Sequence, residues 1–456
     1  MERHVLAALA CVATLPAPAW AQDHSAHQHG STQPAEPAPD AAMPMDHGAM
    51  DHGAMDHGSM DHADMDDQTS GGHEWQLAGR LRPYSGGSGT SRLPTLDSAM
   101  DGLHVMTGDW MLMAHGYVSA QYTDHSGPRG DDKAYVTSMA MLMAERDTGF
   151  GKVQLRSMLS LEPLMSNRGY PNLFATGETA GGVALVDRQH PHDLFMELAA
   201  RVDFDIGGGT RAFLYGGPVG EPALGPSAFM MRRSSRYNPE APIAHHWFDS
   251  THITYGVVTA GLSDATWQLE ASAFRGAEPD EDRWDIEAPK LDSWSARATW
   301  TPTPNWALQA SYGQIHQPEA LHPGEDEHRF TASAHYADRA FSAMAAFSSK
   351  NRQPGRTLTA WLAEANWDLD TANTLFARAE NVANDELFPD HDDPLHDTTF
   401  RVSKLQAGYA RRIAFDPFTL ALGASVNGYL KPDALDAVYG NSPWGYTVFA
   451  RLSLGS

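Results

Sequence analysis

From Asp109 onward the chain is written in short segments whose apolar and polar residues alternate with period two, the pattern of strands with one greasy and one wet face. Trp294, Ala296, Ala298 and Trp300 alternate with Ser293, Ser295, Arg297 and Thr299. At the end, Trp444, Tyr446, Val448, Ala450, Leu452 and Leu454 stand against Thr447, Arg451 and Ser453. Aromatic residues sit at the ends of the apolar rows, where the interfacial girdles of a membrane barrel belong. Connections supply an independent signal. Short turns fall at 147–149, 207–209, 262–264, 302–304, 337–339 and 368–370; longer loops fall around 124–132, 164–192, 216–249, 276–290, 317–328, 350–356, 384–397 and 431–443. This long-short rhythm predicts an all-β fold: a transmembrane antiparallel β-barrel of about 16 strands, within roughly 14 to 18, over residues 109–456. A soluble sandwich or propeller would alternate too, but lacks that rhythm. The end of the chain, Leu454-Gly455-Ser456, departs from the terminal aromatic residue common in such barrels.

Composition removes other classes. Of the 456 residues 42% are apolar, yet beyond the first twenty or so no stretch reaches the roughly 18 apolar positions of a spanning helix. The 57 acidic and 32 basic residues give a net charge of -25, which repels phosphate backbones and excludes nucleic acid as a partner. Residues 1–21 carry Arg3 and His4, an apolar run from Val5 to Leu15, and Ala19-Trp20-Ala21, the pattern of a signal peptide cut before Gln22. That cut removes Cys11, the single cysteine, and with it thiolate metal sites and thiol nucleophiles. The expected location is the bacterial outer membrane, with the amino-terminal tail in the periplasm.

Residues 22–72 form that tail, rich in Pro, Ala, Gly and Asp and without apolar periodicity, so disorder is expected. It carries a Met-Asp-His repeat whose ligands are Met45, His47, Met50, His52, Met55, His57, Met60, His62 and Met65. Thioethers suit Cu(I) and imidazoles suit Cu(II) as well, so one segment can hold copper in either state. An exposed methionine adds little to solubility and oxidises readily, which argues against a mere spacer. Cleavage before Gln22 would also place His24 third from a free amine, a planar nitrogen site for Cu(II) or Ni(II).

If the polar rows face the lumen, the strand at 110–122 sends Met111, Met113 and His115 inward. Met139, Met141 and Met143 share one face of the next strand, but both of its rows are apolar, so lining and lipid-facing filler are both open. His190 and His192 lie in one long loop; His245, His246 and His252 lie in the next. These histidines are candidate ligands, with Asp193 and Asp249 expected to orient imidazoles from behind. Acidic outer loops at 280–282, 325–327 and 390–393 suit a surface meeting divalent cations around lipopolysaccharide and outer-membrane lipid. Residues 73–108 are expected to be a linker or a plug.

The Met-Asp-His repeat ahead of an exported barrel resembles the bacterial copper-resistance protein B family. That resemblance covers the tail and the general architecture. It implies copper or silver tolerance by sequestration or efflux, with copper as the bound metal and periplasmic copper proteins as partners. Gln189-His190-Pro191-His192-Asp193-Leu194-Phe195 and Gly220-Glu221-Pro222-Ala223-Leu224-Gly225 resemble instead uncharacterised bacterial outer-membrane proteins, which implies location alone. The alternative function is a general diffusion porin, its lumen lined by Arg156, Arg297 and Arg378 against Glu270, Glu364 and Glu380. No Gly-x-Ser-x-Gly, His-Glu-x-x-His or phosphate-binding glycine motif is present, so an enzyme such as an outer-membrane hydrolase is the weakest reading.

Overall fold

Period-two alternation produces a closed antiparallel barrel of 16 wall strands in the computed structural model, which describes residues 84–97 and 102–455. In chain order the wall is β1 (Trp110–His125), β2 (Asp132–Thr148), β3 (Gly151–Leu159), β4 (Phe195–Gly207), β5 (Thr210–Gly220), β6 (Thr254–Ser263), β7 (Trp267–Phe274) and β8 (Ser293–Thr303). It continues with β9 (Trp306–Ile315), β10 (Asp326–Ala337), β11 (Phe341–Gln353), β12 (Thr357–Asp368), β13 (Asn373–Asn384), β14 (Phe400–Phe415), β15 (Phe418–Leu430) and β16 (Trp444–Leu454). Closure is made by β16 on β1, where Gly445 pairs with His125 and Leu454 with Gly116. A short strand, Leu103–Thr107, pairs with Trp110–Ala114 at the free end of β1. Closure leaves the wall without a long unpaired edge, the condition a sheet must meet to lie in lipid.

Burial follows parity. Along β8 the inward Ser293, Ser295, Arg297 and Thr299 are buried, while Trp294 and Trp300 are about half exposed on the outside. Those two tryptophans are six residues apart, about 20 Å along a strand, and each belongs to an aromatic ring of the outer surface. Trp361, Trp444 and Tyr312 continue the row on the long-loop side; Trp306, Trp367, Phe415 and Phe418 continue the one by the short turns. Val258, Leu269 and Leu422 lie exposed between them, an apolar belt that only lipid covers favourably.

The lumen is filled. Two long connections, 160–194 and 221–253, fold inward with the segment 84–97, and charged residues of the wall hold them there. Glu364 of β12 accepts hydrogen bonds from Arg232 of the second connection (2.8 Å) and Arg378 of β13 (3.2 Å). Glu240, also of the second connection, pairs with Lys404 of β14 and accepts two bonds from Asn427 of β15, each 2.9 Å. Arg297 spans Glu270 (2.9 Å) and the Gly225 carbonyl (3.0 Å). The segment 84–97 is a plug: Arg92 donates to Gln268 and to the Trp267 and Asp264 carbonyls, and Arg156 donates to the Gly87 carbonyl at 3.0 Å. Gly87 is required there, since a Cβ would meet Ser227 Oγ at 2.4 Å.

The charged rows assigned to a porin lumen therefore do face inward, but Arg156, Arg297, Arg378, Glu270, Glu364 and Glu380 are buried against the plug and loops. An open, water-lined bore does not describe them. Parity also settles the second methionine strand. Val136 and Leu142 point out and are half exposed, so Met139, Met141 and Met143 line the interior in the row of Thr137 and Glu145.

Removing one partner of a buried pair strands the other charge. Lys404→Met should cost about 3–5 kcal/mol through the uncompensated Glu240 carboxylate, seen as a lower temperature for loss of the compact, heat-modifiable form on electrophoresis. Adding Glu240→Gln should restore part of the loss.

Candidate functional site

Antiparallel register brings the methionine rows together. Met113 lies opposite Met143, His115 opposite Met141, and Met141 opposite Met158 of β3. With Met111, Met139, Met196 of β4 and Met231 of the second connection they form one buried cluster, closed by Val219, Ile253 and Tyr255. Met141 is fully buried. Thioethers pack as adaptable hydrocarbon and also present soft sulfur donors, so this wall of the interior has the chemistry for Cu(I) or Ag(I) and for neither Mg²⁺ nor Ca²⁺. His115 shares the inner row but is only half-buried.

The expected histidines converge as well. His190 and His192 from the first connection meet His245, His246 and His252 from the second, with ring centroids 5.0 to 6.1 Å apart. All five are buried. In four of them Nδ1 is committed: His190 to the Pro191 carbonyl (3.1 Å), His192 to Glu162 (2.8 Å), His245 to Asp249 (2.7 Å) and His252 to the Asp249 carbonyl (2.6 Å). A carbonyl acceptor requires the proton on Nδ1, which leaves Nε2 with its lone pair. The Nε2 atoms of His190, His192 and His252 are buried and make no hydrogen bond. Such orientation from behind is how proteins prepare imidazole for a metal. Burial first, and then the neighbouring Arg283 charge, hold His190 well below the usual imidazole range; burial and His245 do the same to His252. Both are neutral donors near pH 7.

One expected orienting role is corrected. Asp249 behaves as anticipated, but Asp193, although next to His192 in sequence, accepts from Tyr255 (2.8 Å) and Arg283 (3.2 Å). Glu162 orients His192 instead, through a three-residue helical turn that the sequence pattern did not single out. His246 is different again. Burial opposes its charge, but Glu278 at 3.4 Å, with Glu178 and Glu319, prevails and lifts it to about 9. Its ring fits because Gly177, at φ +111°, has no Cβ; one would lie 2.7 Å from the imidazole. His24, Met45, His47, Met50, His52, Met55, His57, Met60, His62 and Met65 lie outside the described residues, as does the expected signal peptide.

Serine, histidine and aspartate do meet in space. His335 Nε2 lies 2.7 Å from Asp97 and 3.1 Å from Ser342 Oγ. Both contacts use the same ring nitrogen, whereas a relay needs the carboxylate on one nitrogen and the nucleophile on the other. This cluster anchors the plug to β10 and β11.

No family model matches the chain, and no curated protein matches it. Solved structures that it resembles include an anion-selective porin from Comamonas acidovorans (10% identity, TM-score 0.47, 76% of this chain and 100% of that one). OmpF of Salmonella typhi, in complex with daunomycin, gives the same four figures. The outer-membrane channel DcaP of Acinetobacter baumannii matches at 10% identity and TM-score 0.44, over 78% of this chain and 100% of that one. These likenesses are of overall barrel architecture, and no functional residue is carried across from them.

Because the folded protein holds His246 protonated, its ion pair adds stability in full below the ordinary imidazole value near 6.5, and that stability is lost as pH rises through about 9. The thermal midpoint of the native protein should exceed that of His246→Gln by its full margin at about pH 6, and the gap should close by about pH 10.

Proposed function

We propose that the protein is a channel-type barrel of the bacterial outer membrane, its passage restricted by inward loops to small cations, with copper or silver among the ions it handles. The observation that carries this reading is the filled lumen. Two of the interior voids, of about 30 Å³ beside His192 and Tyr117 and about 20 Å³ beside Arg297 and His335, have room for a water rather than a sugar. The same loops that fill the bore carry the histidines and Met231, so what narrows the passage also lines it with donors. Of the two channel readings a general diffusion porin is the simpler and asks nothing of the donors; it needs an aqueous path past the buried ion pairs at Glu364 and Glu240.

Copper is favoured by two separate soft-donor groups: the inward methionine cluster and, ahead of the barrel, the Met-Asp-His repeat from Met45 to Met65. In this reading the repeat collects Cu(I) or Cu(II) and the barrel wall offers thioether donors to the reduced ion. The acidic outer loops meet the cation-rich lipopolysaccharide surface.

Two assays separate the readings. Proteoliposomes should swell little in neutral sugars while admitting Ag⁺; swelling at the rate of an open porin would replace the restricted channel by a general one. A strain lacking the protein should lose copper and silver tolerance, and one lacking only residues 43–66 should lose part of it. Unchanged tolerance in both would remove copper from the reading.

A further inference from the structure

Three groups among the described residues bring donor atoms of three side chains within 4.8 Å of one another, and they share corners. The first is Glu178, His190 and His246; the second is His246, Glu278 and Glu319; the third is Glu319, His322 and Glu386. None contains His192, His245 or His252. The geometry points to a binding site for a borderline divalent transition cation, of the Zn²⁺ or Co²⁺ class, at the first two groups, with His246 as their common ligand. This site is distinct from the soft-donor methionine cluster and does not rest on the copper reading.

The donors at the inner corner are buried and only loosely engaged with one another. His190 Nε2 lies 3.3 Å from Glu178 Oε1, and His246 Nδ1 lies 3.4 Å from Glu278 Oε1, both longer than a good hydrogen bond. His190 Nε2, His246 Nδ1 and Glu278 Oε1 are buried without a hydrogen-bond partner, and both rings are over nine-tenths buried. A cation inserted between such atoms displaces the His246 proton to solvent and replaces the poor contacts with bonds of about 2.0 to 2.2 Å. Orientation is already supplied: Nδ1 of His190 is held by the Pro191 carbonyl, and Arg283 grips the other oxygen of Glu178 at 3.0 Å. Two imidazoles with one or two carboxylates suit Zn²⁺, Co²⁺ or Ni²⁺ better than the thioethers do.

The third group differs. Arg352 sits on both Asp385 and Nε2 of His322, so the one imidazole of this group already faces a fixed cation. His322 and Glu386 belong to the loops 316–325 and 385–399 on the long-loop side of the barrel, and His322 is less buried than His190 and His246. Ligation therefore falls at the inner pair of groups, and Glu319 Oε2, which has no hydrogen bond, is the donor that links them to this outer, oxygen-rich corner.

Cobalt(II) is the probe, because ligation by nitrogen and oxygen in a closed site gives it visible ligand-field absorption. Full-length protein in detergent, stripped with chelator and titrated with Co²⁺, should bind one equivalent more than His246→Gln, with the corresponding absorption missing in the variant. Tail histidines contribute equally to both proteins and cancel. Glu278→Gln should weaken the same equivalent by at least about tenfold, while Met141→Leu should leave it intact. Should His246→Gln fail to give the heat-modifiable barrel, Glu278→Gln decides. Equal Co²⁺ stoichiometry and spectra in wild type and in each folded variant at 246 or 278 would overturn the site, as would loss of the signal in Met141→Leu. Failure here leaves silver flux and copper tolerance untouched, and the converse holds.

Discussion

A charge that points into a lipid-embedded barrel must be answered, and in this molecule the answer comes from loops. Glu364 is the clearest case: it is buried on the inner face of β12 and flanked by Arg378 on the next strand and Arg232 on the second long connection. Removing water from three such groups is expensive, and only close, hydrogen-bonded contact offsets the loss. The connection from 221 to 253 is thereby tied at Arg232 and again at Glu240, about midway along its length, where Lys404 and Asn427 receive it. The histidines at 245, 246 and 252 follow directly after that second tie. Their position inside the barrel is a consequence of the charge pairing.

Two donor chemistries then occupy different parts of one interior. The methionines project mainly from rigid wall strands, where register fixes their spacing; the histidines and carboxylates project from loops, where turns and backbone carbonyls aim them. Soft and borderline ions are discriminated by ligand type more than by raw affinity. A wall of sulfur beside a cluster of imidazole and carboxylate therefore presents two ligand types within one interior.

The barrel was legible because period-two alternation survives in a single sequence. It reports the inner row directly wherever one row is polar, as at Arg297 and Thr299 on β8. It could not choose for Met139, Met141 and Met143, whose strand is apolar on both faces; the row was decided by Thr137 and Glu145 at its ends. The turn at Asp416-Pro417 was not marked, although the count of about sixteen held. The histidine cluster was legible as residue type and loop, because His-Pro-His and His-His are visible motifs. Its carboxylates were not. Glu162, Glu178, Glu278 and Glu319 come from three loops and meet only when the barrel closes, so no spacing along the chain announces them. Asp193 shows the opposite error: adjacency to His192 suggested a partnership that Tyr255 and Arg283 took instead.

Many polar groups of the interior are paired, as Arg92 is on turn carbonyls and Asn384 on the Phe174 carbonyl, while others, such as Trp247 Nε1, Ser295 Oγ and Gln406 Oε1, are buried without a hydrogen bond. What distinguishes the histidines is concentration: ring nitrogens of His190, His192, His246 and His252 that make no hydrogen bond lie together in one cluster. Each buried donor or acceptor left unsatisfied costs about 1–3 kcal/mol, and here several lie within one cluster of rings. Packing alone gives no reason to keep them, since a leucine or phenylalanine would fill the same space without that cost. The neutral imidazoles of His190 and His252, with lone pairs aimed into a dry, carboxylate-edged space, are costly for an empty core and favourable for one that takes up a cation. The energetic defect and the coordination chemistry are in this sense the same feature, viewed without and with an ion.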